Sequence, residues 1–346
     1  MVIRSEGELI RRKAELARML RTRLEPAWFE FGGNERLAMV FDLEMHLAFL
    51  GEAVRLQVPR LFTEYALWTH QLLLSAHGDG ARFESCLRAI ATLLREGASG
   101  DWVAPAVDIV DQACANLRDA PAPDTSYWRD DNPHRALGEA FLDACLHLRR
   151  AQALALVQQA IGRGVSVTEI YTLVITPAMR ELGRLWYQNK VTVAHEHYCT
   201  AVAQTVMAQL FPVIFDAERK SVGRMVAACV AGELHEIGAR MVADLFEVAG
   251  WDSAFLGADV PRESVVDMLI ETEAQVLAVS VTLAANLGNA SALIEAVRAT
   301  PACAAVRILL GGAAFNVEPM LWQKLGGDGW APDADTALEM ALRWRS

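Results

Sequence analysis

Length, composition and charge limit the classes of protein to be considered. The chain of 346 residues is long enough for two or three domains, and its 53% content of hydrophobic residues supports large buried cores. A net charge of −11 argues against a chain-wide phosphate-binding surface, so direct nucleic-acid binding is not expected. The N-terminus lacks the apolar run of a signal peptide, and no stretch has about 20 uninterrupted apolar residues. We therefore expect a cytoplasmic protein with no membrane partner.

The cysteines give little support to a zinc site. They form no CxxC pair and show no close Cys–His spacing, and most lie in apolar stretches where a thiol behaves as a small buried hydrophobe. The six are Cys86, Cys114, Cys145, Cys199, Cys229 and Cys303.

The first part of the chain, residues 1–118, has the three- and four-residue apolar spacing of helices and predicts an all-helical domain of about five helices. Its role is not indicated by any motif. Residues 119–134 contain three prolines among polar residues and predict a linker or an ordered strap. Tyr127 and Trp128 suggest that this strap packs on something.

Residues 135–217 return to helical periodicity and predict a four-helix bundle. The expected helices are roughly 136–147, 150–162, 166–186 and 192–211. Short loops between them favour antiparallel neighbours.

Residues 224–346 alternate between apolar strand candidates and helices, which predicts a doubly wound, Rossmann-like domain with a parallel sheet. The predicted strands are Met225–Val230, Ser253–Leu256, Val276–Val281 and Ile308–Leu310, and the predicted helices lie near 237–249, 261–272, 286–299 and 333–344. In such a domain, ligands bind beyond the carboxyl ends of the strands.

The turn after the first strand carries a histidine instead of a phosphate-binding motif. Residues 232–238 read Gly-Glu-Leu-His-Glu-Ile-Gly, with neither GxGxxG nor a P-loop. His235 can ligate a metal through one ring nitrogen, and Glu233 is a suitable partner for the other. Gly238 allows a bulky group to approach the backbone closely.

Two later strand ends complete a predicted slot. Ser280 and Thr282 place two hydroxyls at the end of the third strand, and Gly311 and Gly312 leave the end of the fourth without side chains. A long group could run between strands and helices at this edge.

These residues, at these spacings, resemble the cobalamin-binding signature of an acidic-x-His-x-x-Gly motif, a Ser-x-Leu or Ser-x-Thr motif and a Gly-Gly pair. The resemblance implies a cobalamin held by His235 at the lower face of cobalt, with Glu233 supporting the histidine. It further implies that Ser280 and Thr282 contact the nucleotide tail of the cofactor, which leaves cobalt and enters the slot. Gly238 belongs to the first motif, and Gly311 and Gly312 would make room for the tail. The family usually has Asp where this chain has Glu233.

The bundle adds a second resemblance. Trp186, followed after nine residues by Glu196 and His197, resembles the bundle of cobalamin-dependent photoreceptors, where these residues cover the upper cobalt face and recognise an adenosyl group. Adenosylcobalamin is thus implied. Tyr187 departs from the light-sensing repressors, which can have a cobalt-capturing histidine there. The N-terminal domain also departs from their DNA-binding domain. The layout is compatible with photocobilins, which pair cobalamin with a bilin.

Two functions follow from these resemblances. The first expectation is a cobalamin-dependent, light-responsive regulator that is not an enzyme, with a bilin as a candidate second chromophore, an effector protein as partner, and homo-oligomers as a candidate assembly. The alternative is a corrinoid protein that shuttles methyl groups between methyltransferases. Such proteins share the bundle and the histidine motif, but the Trp186-containing lid argues mildly against an upper face exposed to other enzymes.

Overall fold

A computed structural model of the chain groups its residues into two compact units. The described residues are 7–24, 42–77, 80–117, 126–215, 221–318 and 320–344. One unit consists of residues 1–123, 281–292 and 313–326, and the other of residues 124–280, 293–312 and 327–346. Residues 119–125 of the predicted linker fall outside the described residues.

The first unit begins with helices whose ends lie where the sequence has helix-breaking residues. The N-terminus of the second helix is fixed by Asp42, whose carboxylate accepts hydrogen bonds from the backbone N–H groups of Glu44 and Met45 at 3.0 and 3.3 Å. Leucines and phenylalanines such as Leu47 and Phe62 are fully buried between these helices. The helices are α1 (Glu8–Arg23), α2 (Leu43–Arg55), α3 (Arg60–His77), α4 (Ala81–Gly97) and α5 (Val103–Asn116).

The second unit begins with the bundle. Ser166 and Glu169 form a capping box at the start of its third helix, which explains why that helix begins there. This third helix consists of α8 (Val167–Glu169), a π-helical segment (Ile170–Ile175) and α9 (Thr176–Tyr187). The other bundle helices are α6 (Arg135–Leu146), α7 (Arg150–Gly162) and α10 (Val193–Ile214).

The π-helical segment, which the periodicity did not predict, ends two residues before Pro177. Pro177 has no backbone N–H, so it cannot donate to the carbonyl of Leu173 as an α-helix would require. That carbonyl instead accepts a hydrogen bond from the side-chain amide of Asn132 at 2.8 Å. The segment therefore ties the bundle to the preceding strap.

The described end of the strap, from Ser126 onward, packs on the bundle. The backbone N–H of Tyr127 donates to Glu181 at 3.1 Å, and the Trp128 ring lies against Gly138, where an added Cβ would come within 2.7 Å of it. Glu181 is buried and also accepts from the Arg184 guanidinium at 2.9 Å. A charged pair therefore fixes the entry of the chain into the bundle.

The rest of the second unit is built on a five-stranded parallel sheet in the order β2-β1-β3-β4-β5. The strands are β1 (Arg224–Cys229), β2 (Asp252–Phe255), β3 (Val276–Ser280), β4 (Arg307–Gly311) and β5 (Gly329–Trp330). The helices between and after these strands are α11 (Ile237–Val248), α12 (Arg262–Thr272), α13 (Leu287–Ala299), α14 (Ala313–Val317), α15 (Leu321–Leu325) and α16 (Ala334–Arg343). Of these, α14, α15 and the start of α13 belong to the first unit. The predicted fold class, a helical N-terminal region with a bundle and a Rossmann-like domain, is confirmed.

Differences from the predicted elements are small. β5 and the short helices α14 and α15 were not predicted, because two to five residues show no usable periodicity. Within the described ranges, no helix is long and apolar enough to cross a bilayer. All six cysteines are buried and free.

The first unit also contains the segments that follow β3 and β4, which the sequence-based boundaries assigned to a domain at 224–346. A 3₁₀ turn (Ala284–Asn286) packs against α2, and α14 packs against α3. Apolar residues in both segments, including Leu287 and Phe315, are fully buried. The boundaries at 118, 134 and 217 stay predictions.

Candidate functional site

Three of the predicted strand ends lie side by side at the carboxyl edge of the sheet. In the strand register, Cys229 of β1 is opposite Ser280 of β3, which is opposite Gly311 of β4. This row is the position at which open α/β sheets bind ligands.

The turn from β1 to α11 has a backbone shape that requires glycine. Gly232 has a φ of 80°, a left-handed conformation that an L side chain rarely adopts. Its N–H donates to Asp259 Oδ1 at 2.7 Å, and the N–H of Asp259 donates to the carbonyl of Glu233 at 3.0 Å. Asp259, which the sequence did not single out, thus holds the turn from the next connection of the sheet.

Glu233 fixes His235 at two points. The Glu233 carboxylate is fully buried, and its Oε1 accepts from the backbone N–H of His235 at 3.1 Å. The same oxygen lies 2.5 Å from His235 Nδ1. The longer side chain at this position therefore still reaches the imidazole, although the family usually has Asp.

This contact determines which imidazole nitrogen can bind a ligand. With Nδ1–H donating to Glu233, Nε2 carries the lone pair. Among the described residues, no hydrogen bond to Nε2 is formed, and the His235 side chain is 57% exposed. The hydrogen bond to Glu233 raises the pKa of His235, and Glu196 of the bundle raises it further through its charge.

Residues around His235 leave room for a large apolar group. A Cβ built on Gly238, in the first turn of α11, would meet no atom within 4 Å. Leu234, between Glu233 and His235, is 72% exposed. Glu236 accepts from the Gln204 side-chain amide of α10 at 2.5 Å, which links the turn to the bundle. Sequence reasoning missed Leu234 and Gln204, because their roles depend on exposure and on long-range packing.

The strand ends next to the turn are small or polar. The Ser280 hydroxyl bonds the Cys229 thiol, but burial prevails and raises the pKa of that thiol to about 12. Gly311 lies close to the carbonyl of Ala331, since a Cβ there would be 3.4 Å from that oxygen. Gly312 has a φ of 98° and so requires glycine. Thr282, the remaining predicted tail contact, belongs to the first unit.

The predicted bundle residues lie at adjoining helix ends but differ in exposure. Trp186 is half-buried in the last turn of α9, and the following Tyr187 is buried. Glu196, in the first turn of α10, acts electrostatically on His235 and accepts from Thr200 Oγ1 at 2.8 Å. His197 has an exposed side chain whose Nδ1 lies 2.6 Å from Glu196 Oε2.

Comparison with known protein families decides the class of ligand. Residues 223–339 match a family model described as "B12 binding domain", and residues 137–211 match a second model with the same description. The chain contains cobalamin-binding domains. Its bundle and its Rossmann-like domain are each covered by one of these matches.

Curated relatives of the cobalamin-binding region are corrinoid proteins. Trimethylamine corrinoid protein 1 of Methanosarcina acetivorans is 25% identical over 56% of this chain and 89% of its own length. A corrinoid protein of Desulfitobacterium hafniense is 25% identical over 54% of this chain and 87% of its own. Dimethylamine corrinoid protein 3 of Methanosarcina acetivorans is 24% identical over 58% and 92%.

A solved structure supports the fold alone. The monomethylamine corrinoid protein of Methanosarcina barkeri superposes with a TM-score of 0.54 at 21% identity, covering 61% of this chain and 99% of that protein. The common fold is thus a bundle joined to a Rossmann-like domain.

The light-sensing interpretation of the sequence was wrong. The relatives are named as corrinoid proteins, two of them as trimethylamine and dimethylamine corrinoid proteins, and not as photoreceptors or signalling proteins. The Trp186, Glu196 and His197 spacing misled because it occurs at a helix–loop–helix junction of a bundle that both classes share. The adenosyl ligand and the bilin were implied by that resemblance alone and lose their support with it.

The side chains of the site fit a corrin. A corrin ring brings its own nitrogen ligands to cobalt, so the protein would need to offer only one further nitrogen. His235 offers one with its other nitrogen held by a buried carboxylate, as in other histidine–metal sites. The open space at Gly238 would admit a bulky ring, and the exposed Leu234 offers an apolar contact for the methyl groups that a corrin carries.

Proposed function

We propose that this chain is a corrinoid protein that carries a methyl group between methyltransferase partners. The observation that carries the proposal is the match to methylamine corrinoid proteins along nearly their whole length, combined with the His235–Glu233 pair at the sheet edge. When bound, the corrin cobalt supplies a metal centre that can accept and give up a methyl group.

His235 is proposed as the protein ligand of cobalt, and Glu233 as the group that orients the imidazole and fixes the neutral tautomer with its lone pair on Nε2. Because the Glu233 carboxylate is fully buried, its charge acts on the imidazole with little screening by water. Gly238 would admit the ring. Ser280, Thr282, Gly311 and Gly312 would line the path of the nucleotide tail.

Trp186, Glu196 and His197 are proposed to border the bound cofactor from the bundle. There they would exclude water from its reactive side between encounters with partner enzymes. Glu196 bonds Thr200 and His197 as well as acting on His235, so it would be the most firmly held of the three.

A labelling experiment tests this function. The purified full chain is loaded with cobalamin, reduced, treated with ¹⁴C-methyl iodide and then given a thiol acceptor with an extract of the source organism. We expect label to be retained by the chain and to move to the thiol only when extract is present. A holo-protein that keeps its label under all of these conditions, but changes its assembly state in green light, would overturn the proposal.

A further inference from the structure

The N-terminal helices and the segment that follows β3 belong to one compact unit, which raises the question of what holds them together. The 3₁₀ turn (Ala284–Asn286) packs against α2. Val281 and Leu287, on either side of that turn, are fully buried. The path of the chain from Thr282 to the start of α13 is therefore shaped by the N-terminal helices.

A buried polar contact joins α2 to this segment. The Glu52 carboxylate of α2 is 2% exposed and accepts the backbone N–H of Gly288, in the first turn of α13. A Cβ on Gly288 would come within 2.7 Å of Glu52 Oε1, so glycine is needed for this approach. Arg55 completes the cluster, with its Nη2 at 2.6 Å from Glu52 Oε2.

The buried position of the Glu52 carboxylate is unfavourable for its charged form. Burial raises the pKa of Glu52 more than Arg55 and Gly288 lower it. A hydrophobic residue of similar size would avoid that cost. What the glutamate adds is a directed bond to one backbone position, which fixes the turn between Thr282 and Gly288.

A second contact anchors the segment after β4 in the same unit. The Lys324 ammonium of α15 donates to the carbonyl of Leu56, directly after α2, at 2.8 Å. The C-terminal end of α2 thus holds both added segments, one through Glu52 and one through Leu56.

We propose that Glu52 is a positioning residue for the nucleotide tail of cobalamin. By holding Gly288, it keeps the turn that begins at Thr282 in the shape that the tail requires, without touching the cofactor. The inference rests on the proposed function, because it takes Thr282 as a tail contact.

The test compares two ligands that differ only in the tail. The affinity of the full-length Glu52→Ala variant is measured for cobalamin and for cobinamide, a corrinoid that lacks the nucleotide. We expect cobalamin to bind about tenfold more weakly, as for the loss of one charge-assisted hydrogen bond, and cobinamide to bind as it does to the wild type. Glu64→Ala, which removes an exposed carboxylate of α3 paired with Arg60, is the matched control and should alter neither.

Two further variants protect the test against a folding defect. Glu52→Gln keeps an acceptor for the Gly288 N–H and should recover most of the cobalamin affinity. Gly288→Ala pushes the carboxylate away and should reproduce the cobalamin-selective loss. Equal losses for both ligands, or no loss for either, would overturn the inference.

Failure of the proposed function has a different signature. His235→Ala removes the cobalt ligand and should weaken cobalamin and cobinamide together. If His235→Ala leaves both affinities unchanged, the proposed function fails. If it acts as expected and the Glu52 variants do not discriminate between the ligands, only the role of Glu52 fails.

Discussion

Each unit contains a buried glutamate that accepts hydrogen bonds from a backbone N–H and from a basic side chain. The two glutamates have different roles. Glu233 and Glu52 each accept one backbone N–H and one basic side chain. At Glu233 the base is an imidazole that keeps its second nitrogen and most of its surface open. At Glu52 the base is Arg55, which directs two of its nitrogens at the glutamate itself. A buried glutamate therefore orients a histidine nitrogen for ligand binding in one unit and fixes the backbone at Gly288 in the other.

The largest effect should come from removing the presented atom. His235→Ala should weaken cobalamin binding by more than about 100-fold, because losing a ligand exceeds the usual cost of losing its supporting partner. Equilibrium titration of the cofactor-free protein by absorbance measures this. His147→Ala is the control, since His147 is an exposed bundle histidine bonded to Asp143. A similar loss in both variants would contradict the assignment.

Neutralising the supporting acid should have the next largest effect. Glu233→Gln keeps the size of the side chain but removes its charge, so cobalamin affinity should fall by about 10- to 100-fold. The same titration checks this, with Glu263→Gln as control because Glu263 is an exposed residue of α12. An unchanged affinity would mean that Glu233 only shapes the turn.

A smaller effect is expected from filling the open space at Gly238, which tests the room for the cofactor without changing His235. Gly238→Ala meets no atom in the cofactor-free fold and lies in a helix, where alanine is favoured by about 1 kcal/mol. We therefore expect a slightly higher stability to urea, together with a cobalamin affinity reduced by about tenfold through steric overlap. Higher stability with wild-type affinity would show that the ring lies elsewhere.

The smallest effect concerns a third glutamate, which is exposed. Ser166 and His134 lower the pKa of Glu169 to about 2, the opposite of the direction at buried Glu52. Ser166→Ala removes the N-cap and should lower the free energy of unfolding by about 1 kcal/mol at neutral pH.

The stability difference between the wild type and Ser166→Ala should depend on pH. A carboxylate with a lowered pKa contributes stability above its unfolded pKa and loses it as the pH falls towards its folded pKa. The difference between wild type and Ser166→Ala should therefore shrink as the pH falls from about 4.5 towards 2. Urea titrations across this range measure it. A difference that does not vary with pH would show that the stability comes from the N-cap hydrogen bond of Ser166 and not from the ionised Glu169.

Much of the fold could be predicted because its signals are local. The helix at 150–162 was predicted at the observed residues, and β1 differs from its prediction by one residue at each end. The π-helical segment was missed because it depends on Asn132 reaching a carbonyl that Pro177 leaves vacant. Periodicity carries no information about such a contact.

The residues of the candidate site also differ in whether local sequence is enough to predict them. His235, Glu233 and Gly238 form a short motif within one turn, so the sequence was sufficient to select them. Glu52 was not selected, because its partner Gly288 is more than 200 positions away in the chain. Which corrinoid class the motif serves was misjudged, since a shared bundle junction does not distinguish the classes.

The buried, unbridged cysteines have a consequence for handling and for chemistry. All six thiols are free and enclosed, so no covalent cross-link holds the tertiary structure. The proposed methyl transfer would need the bound cobalt in a strongly reduced form, under conditions that also favour the reduction of disulfides. Because this chain has no disulfide, strongly reducing conditions should not lower the stability of its fold.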